Sequence, residues 1–325
     1  MCLEIKENIN TPEYWDNVFS REIVNKKWRR NVLTFGKIRT YLGLRVSSTD
    51  EVLDVGCGYG VLLNKLKPIG CTLIGWDISE VAINEVKRYG NNGSCIDFVD
   101  YIPSDTVRFD HVITTEFLEH VEDPARFIKL LISSLNSYGR LILSIPIQDY
   151  GGCDIFFKDH IWHFTVKQFQ ALLNSCGLKL LHTDFDNPIN HGFGLFVCEK
   201  GEGIGPNLNL SNETTIQKNN LDFWLDKIFN VENLKLEQSS KKIAVFGASE
   251  LFTLFYTYSS LANTNILACI DDSKHGTTKH GIQVFNSEWL NDNEIDVLIL
   301  AINKKYHPMV KNKLSHLPIE MISLY

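Results

Sequence analysis

Glu51-Val-Leu-Asp-Val-Gly-Cys-Gly-Tyr-Gly60 is the stretch that decides the fold. A short apolar strand (Val52, Leu53, Val55) runs into Gly56, Gly58 and Gly60, and a helical pattern follows at Val61, Leu62, Leu63 and Leu66. Glycine lets the backbone turn sharply and lets a ligand approach the main chain with no Cβ in the way. The helix N-terminus behind the turn offers N–H groups that lack intrahelical partners. Dinucleotide sites use a similar loop, but with Gly-x-Gly-x-x-Gly spacing. This loop has Gly-x-Gly-x-Gly instead.

Working outward, a second strand at Cys71-Thr-Leu-Ile-Gly-Trp76 ends in Asp77. An acidic residue at the tip of a second strand suits hydrogen bonds to a ribose diol. A third element, Ser94-Cys-Ile-Asp97-Phe98, offers a polar and an apolar contact, with Asp100 as an alternative to Asp97. The run from Phe109 to Thr115 reads as a buried strand, and Asp123-Pro124 as the start of a helix. Over residues 46–200 these four ordered motifs resemble the class I S-adenosylmethionine (SAM) methyltransferases. The resemblance implies SAM as cofactor. It places Asp54 and Glu116 near the amino-acid part, and Gly56, Cys57, Gly58 and Gly60 along the methionine and ribose. Asp77 with Ile78 would meet the ribose, and Asp97 with Phe98 the adenine. Cys57 has no base among its sequence neighbours and reads as a packing residue rather than a nucleophile.

The chain has 325 residues, enough for two domains, with 44% hydrophobic and 22% charged residues and a net charge of -7. That charge, with no long basic run, argues against a nucleic-acid partner. No apolar run reaches the ~18 residues of a membrane span. The eight cysteines form no Cys-x-x-Cys pair. The pattern fits neither a zinc framework nor a disulfide scaffold, and a reducing cytoplasm is the expected location. A homo-oligomer is left open.

Four regions are expected: a helical cap over 1–45, a SAM-binding domain over 46–200, a linker with an amphipathic helix over 201–240, and a smaller Rossmann-like α/β domain over 241–325. The cap shows Tyr14, Trp15, Val18, Phe19, Trp28, Val32, Phe35, Ile38 and Leu42 at roughly helical spacing. Thr165-Val-Lys-Gln168 is a capping box, and Leu178–Thr183 and Gly194–Cys198 read as two closing strands. In the linker, Leu221, Trp224, Leu225 and Ile228 mark the helix. The last region reads as half a Rossmann-like sheet, in which Ser249 and Phe252 replace fingerprint glycines, so NAD is not expected there.

Methyl transfer needs an acceptor aligned with the activated methyl and, where required, a base to take its proton. Phe157-Lys-Asp159-His160-Ile-Trp162-His163-Phe164 supplies two imidazoles and a carboxylate between aromatics, and His191-Gly192 adds a third histidine. These segments are similar to those of nucleotide-sugar C-methyltransferases, although Phe157, Asp159 and Phe193 depart from that pattern. The resemblance implies His160, His163, Asp159 and His191 as catalytic candidates, with His160 as general base. Trp162 would line the substrate side. Gly247, Ser249 and Asp271 of the last region would lie near the nucleotide part of the acceptor. The zinc-binding N-terminal domain of that subgroup is absent from this sequence. A second cluster, Glu116, Glu119 and His120, falls at i, i+3 and i+4, one face if helical. It resembles the metal-binding segment of ubiquinone-pathway O-methyltransferases, yet no bound metal is expected, and a structural role for Glu119 and His120 is the plainer reading. The expected function is SAM-dependent methylation, at carbon or oxygen, of a small molecule such as a nucleotide-linked sugar. The rivals are a metal-assisted O-methyltransferase and a non-catalytic SAM- or sugar-binding subunit.

Overall fold

Neighbouring residues of a strand point to opposite faces, so apolar runs such as Val52-Leu53 and Leu141-Ile142-Leu143 need cover on both sides. The computed structural model describes residues 11–24, 32–98, 108–157, 159–185, 192–206, 208–236 and 240–324. It provides that cover. The described chain divides into two units, one of residues up to 185 with 192–216, the other from 217 onward.

In the first unit, α1 (Pro12–Val24) and α2 (Val32–Gly43) precede β1 (Glu51–Val55), α3 (Val61–Leu66), β2 (Thr72–Asp77), α4 (Glu80–Arg88) and β3 (Asn92–Cys95). Then come β4 (Phe109–Thr115), α5 (Pro124–Ser133), β5 (Leu135–Pro146), α6 (Val166–Ser175), β6 (Leu178–Phe185) and β7 (Phe193–Lys200). The sheet order is β3-β2-β1-β4-β5-β7-β6. β7 runs antiparallel to both neighbours, so the two closing strands expected from the sequence pair antiparallel. This is a Rossmann-like sheet closed by an antiparallel pair. Val52, Ile113 and Ile142 face α2, α3 and α4 through Ile38, Leu62 and Ile83. Leu53, Val112 and Leu141 face α5 and α6 through Phe127 and Phe169. Burying a ring of this size contributes about 1.5–3 kcal/mol relative to leaving it in water.

Local signals set the helix ends. Asp123 caps α5 by accepting the Arg126 N–H, with Pro124 at the first helical position. Thr165 and Gln168 close both bonds of the capping box on α6. β3 stops at Cys95, and Phe98 beyond it packs on Trp76 and Phe127.

α7 spans Leu210–Asn233, longer than the segment marked by Leu221–Ile228, since its first turns are polar and carry no apolar period. β8 (Ile243–Phe246), α8 (Glu250–Tyr258), β9 (Ile266–Ile270), β10 (Thr278–Lys279), β11 (Ile282–Phe285), α9 (Trp289–Asp292), β12 (Val297–Leu300), α10 (His307–Lys313) and β13 (Glu320–Ser323) follow. They form a sheet ordered β10-β11-β9-β8-β12-β13. All pairings are parallel except β10 with β11. The expected half-sheet is therefore a fuller Rossmann-like sheet. β13 escaped notice because it is a four-residue edge strand that only its pairing with β12 defines. Among the described residues no helix is long and apolar enough to cross a membrane.

Replacing Asp123 with Ala leaves the Arg126 N–H without its cap, so stability should fall by about 1 kcal/mol. Urea denaturation of both proteins measures the difference.

Candidate active site

The glycine loop leaves β1 and is pinned to the end of β2. The Gly56 N–H donates to the Trp76 carbonyl at 2.8 Å, and the Gly58 N–H donates to Asp77 Oδ2 at 2.8 Å. The other Asp77 oxygen accepts the Ser79 N–H at 2.9 Å. Gly56 has φ +73°, and a Cβ there would lie 2.4 Å from the Phe117 ring, so both backbone and space demand glycine. Gly60 caps the N-terminus of α3 at φ 75°.

Two buried carboxylates stand beside this loop. Burial raises the Asp77 pKa from 3.8 to about 6, against the N–H bonds from Ser79, Gly58 and Ile78 that favour its charge. Asp54 is 1% exposed, and its Oδ1 has no hydrogen-bond partner among the described residues. Burial, and then the Asp77 charge, push it well above the carboxylate range. A cation bound beside Asp54 would favour its charged form. The Cys57 thiol is driven well up by burial and by the same two carboxylates, which makes it inert. Asp97 is exposed just past β3, whereas Phe98, expected at an adenine, is a core ring. Ile78 is half-buried, and its carbonyl accepts from the Cys95 thiol at 3.3 Å.

α1 clamps the loop. Phe19 packs edge-on against Tyr59, 5.3 Å between centroids, and would meet a Cβ at Gly58. Asp16 accepts the Ser79 hydroxyl and the Val81 N–H, placing negative charge at the N-terminus of α4. Trp15, one turn from Phe19, meets the His120 ring at 5.3 Å. His120 in turn meets His160 at 4.8 Å, and Phe157 covers the His160 ring at 5.1 Å. One helix thus joins the glycine loop to an imidazole cluster.

That cluster forms where the loops after β4 and β5 are stitched together. The Glu119 carbonyl accepts the Ile161 and Trp162 N–H groups, and the Asp159 carbonyl contacts His120 Nδ1 at 2.7 Å. The Trp162 indole, 40% exposed, donates to the Val121 carbonyl. Asp159 contributes its carbonyl at close range, its carboxylate lying 3.9 Å from His120 Nδ1. A residue absent from the sequence expectations sits beneath: Asp154, 4% exposed. It accepts from Gln148 Nε2 at both oxygens (2.9 and 3.0 Å), and its Oδ2 lies 3.2 Å from His163 Nδ1 and 3.8 Å from His160 Nδ1. Burial opposes ionisation of Asp154, but His160 and His163 outweigh it and hold the carboxyl below its ordinary range. No local signal marked Asp154, which lies six residues before His160 among apolar neighbours.

Glu116, Glu119 and His120 do not lie on one face of a helix. Glu116 has φ 52°, and only a 3-10 turn follows, over Leu118–His120. Glu119 and His120 instead group with His160, their potential ligand atoms within 4.8 Å of one another. Glu119 is 1% exposed, with neither carboxylate oxygen hydrogen-bonded among the described residues. Burial, then the charges of Glu116, Asp154 and Asp159, push it well up. His191, the remaining catalytic candidate, lies outside the described residues.

The second unit repeats the loop lock. The Gly247 N–H donates to the Ile270 carbonyl at 2.7 Å, as Gly56 does to Trp76. Asp271 Oδ2 accepts the Ala248 N–H at 3.1 Å and Oδ1 the Ser273 N–H at 2.9 Å, matching Asp77 with Gly58 and Ser79. Ser249 caps α8. A separate groove of about 590 Å³, bordered by Arg45, His111, Tyr138 and Arg140, opens near the start of β1 and β4, away from the strand ends that carry these loops.

A family described as a methyltransferase domain matches residues 20–183, and one described as C2185-like, N-terminal matches residues 239–323. The ubiquinone biosynthesis O-methyltransferase of Coxiella burnetii is 37% identical over 100 residues, 29% of this chain and 42% of that protein. The mitochondrial ubiquinone biosynthesis O-methyltransferase of Schizosaccharomyces pombe is 32% identical over 104 residues, 30% of this chain and 38% of that protein. The chain therefore spans less than half the length of these curated relatives. A Haloferax volcanii methyltransferase solved with the Trm112 methyltransferase activator shares the fold over 58% of this chain and 98% of its own, with TM-score 0.50 and 16% identity.

The raised Asp77 pKa carries a sign. Between 3.8 and about 6 the folded chain keeps a proton that the unfolded chain has released. Its stabilising contribution is full below the unfolded value and is lost as pH rises through about 6. Urea midpoints of the ligand-free protein and Asp77→Asn across this range should show the wild type losing ground to the variant as pH rises.

Proposed function

The chain belongs to the family of class I SAM-dependent methyltransferase domains, and from that premise we propose that it methylates a nucleotide-linked sugar or a related glycan precursor. Bound SAM supplies the electrophilic methyl. The residues present fit it: a glycine-rich loop pinned to the end of β2, the Asp77 carboxylate for a ribose diol, and the Asp54 oxygen without a partner among the described residues for the cationic amino-acid end. His160 is the general base, taking the acceptor proton as the methyl is transferred. Trp162 lines the acceptor side, and His163 supports the base.

The observation that carries this reading is the His120–His160 pair, joined by Trp15 to the helix that clamps the glycine loop. An imidazole nitrogen with a free lone pair can take the acceptor proton. The acceptor class draws support from the second unit taken by itself, where Asp271 accepts from Ala248 and Ser273 in the same kind of lock that Asp77 makes with Gly58 and Ser79.

A second reading is metal-assisted O-methylation of a phenol-like acceptor. It is favoured by the Glu119–His120–His160 grouping and by relatives named as ubiquinone O-methyltransferases. Glu119 brings a hard oxygen donor and the histidines nitrogen donors, a set that suits a divalent ion able to polarise an acceptor oxygen.

The test incubates the full chain with SAM and either pooled nucleotide sugars or catechols, with and without chelator. S-adenosylhomocysteine and a one-methyl mass gain are the readouts. A methylated nucleotide sugar supports the proposal, with kcat falling about 10²- to 10⁴-fold in His160→Ala. Chelator-sensitive methylation of a catechol alone transfers the case to the second reading. Asp77→Asn should weaken SAM binding about 10- to 150-fold, from a charged hydrogen bond of ~1.5–3 kcal/mol, measured by calorimetry.

A further inference from the structure

We propose that Asp154 is a positioning residue of the methyl-transfer site, fixing the ring orientation and proton placement of His163 and His160. This rests on the reading of His160 as the base. A carboxylate so deeply buried is costly unless its partners compensate it. Here the partners are Gln148, which donates to both oxygens, and two imidazoles at 3.2 and 3.8 Å from a single oxygen. No Arg or Lys forms an ion pair with it among the described residues.

Gln148 anchors the carboxylate, and the anchor is itself tied down. Gln148 is 1% exposed, and its backbone N–H donates to the Phe164 carbonyl at 2.9 Å. A fixed carboxylate facing Nδ1 of an imidazole accepts a proton held there. The lone pair is then left on Nε2, across the ring, where a base needs it. His163 meets Asp154 at hydrogen-bond distance. His160 Nδ1 is buried and without a hydrogen-bond partner among the described residues, one small ring shift from the same oxygen. Asp154 Oδ2 is thus the common reference for both rings. Without it, each imidazole is free to place its proton on Nε2 and lose basicity toward the acceptor.

Long-range ¹H–¹⁵N spectra of the histidine rings in the full-length protein test the assignment without any variant. The Nδ1–H form of His163 is the expected result, and a dominant Nε2–H form overturns it. In Asp154→Asn, the His163 signal should change tautomer. With SAM and the pooled nucleotide sugars, kcat should fall on the order of 10- to 100-fold while KM for SAM stays within about twofold. An unchanged kcat, or a loss carried by SAM affinity, overturns the positioning role. If the variant does not fold, the wild-type spectra decide. If the wild type methylates none of the sugars, the acceptor reading has failed, and the tautomer result still stands or falls by itself.

Discussion

Asp77 accepts the Gly58 and Ser79 N–H groups at 2.8 and 2.9 Å, and the ligand side of the first unit is organised around those two bonds. They hold the glycine loop against the end of β2 and set the first turn of α4. Ser79 then offers its hydroxyl to Asp16, which brings α1 over the loop. Phe19 and Trp15 follow from that docking, one against Tyr59 and the other against His120. A buried carboxylate thus orders three segments far apart in sequence. Burial raises its pKa to about 6 against the pull of those same N–H bonds.

The chemistry-bearing loops show the same economy. Glu119 and Asp154 are both almost fully buried, yet their environments drive them in opposite directions. Glu119 has burial and three neighbouring carboxylates against its charge, and its pKa rises. Asp154 has burial against it but the imidazoles of His160 and His163 in its favour, and its pKa falls. Two carboxylates pushed apart by environment give one site a potential proton holder and an anion. His160 lies between them, within reach of Asp154 and grouped with Glu119 and His120.

The Asp271 lock in the second unit shows how far local chemistry can be reused. Its loop lacks the dinucleotide fingerprint glycines, and Ser249 caps the helix instead. Even so, the pairing of a first-loop N–H with a carboxylate at the tip of the next strand is the same as at Asp77. The likeness lies in backbone hydrogen bonds, and no sequence repeat announces it.

What the sequence by itself determined was short-range. Apolar runs marked most of the parallel strands of both sheets, β13 excepted. Asp123-Pro124 and Thr165–Gln168 set helix starts, and the Gly56–Gly60 loop with Asp77 set the expected cofactor end. These signals are legible because strand period, caps and turns act within a few residues. The tertiary structure alone decided which side chains meet. It sent Phe98 into the core, replaced Glu116 by His160 in the carboxylate–imidazole group, and brought Asp154 under His163. Those outcomes depend on burial and on through-space distance between the loops after β4 and β5. Neither quantity has a period in the chain, so only packing could set them.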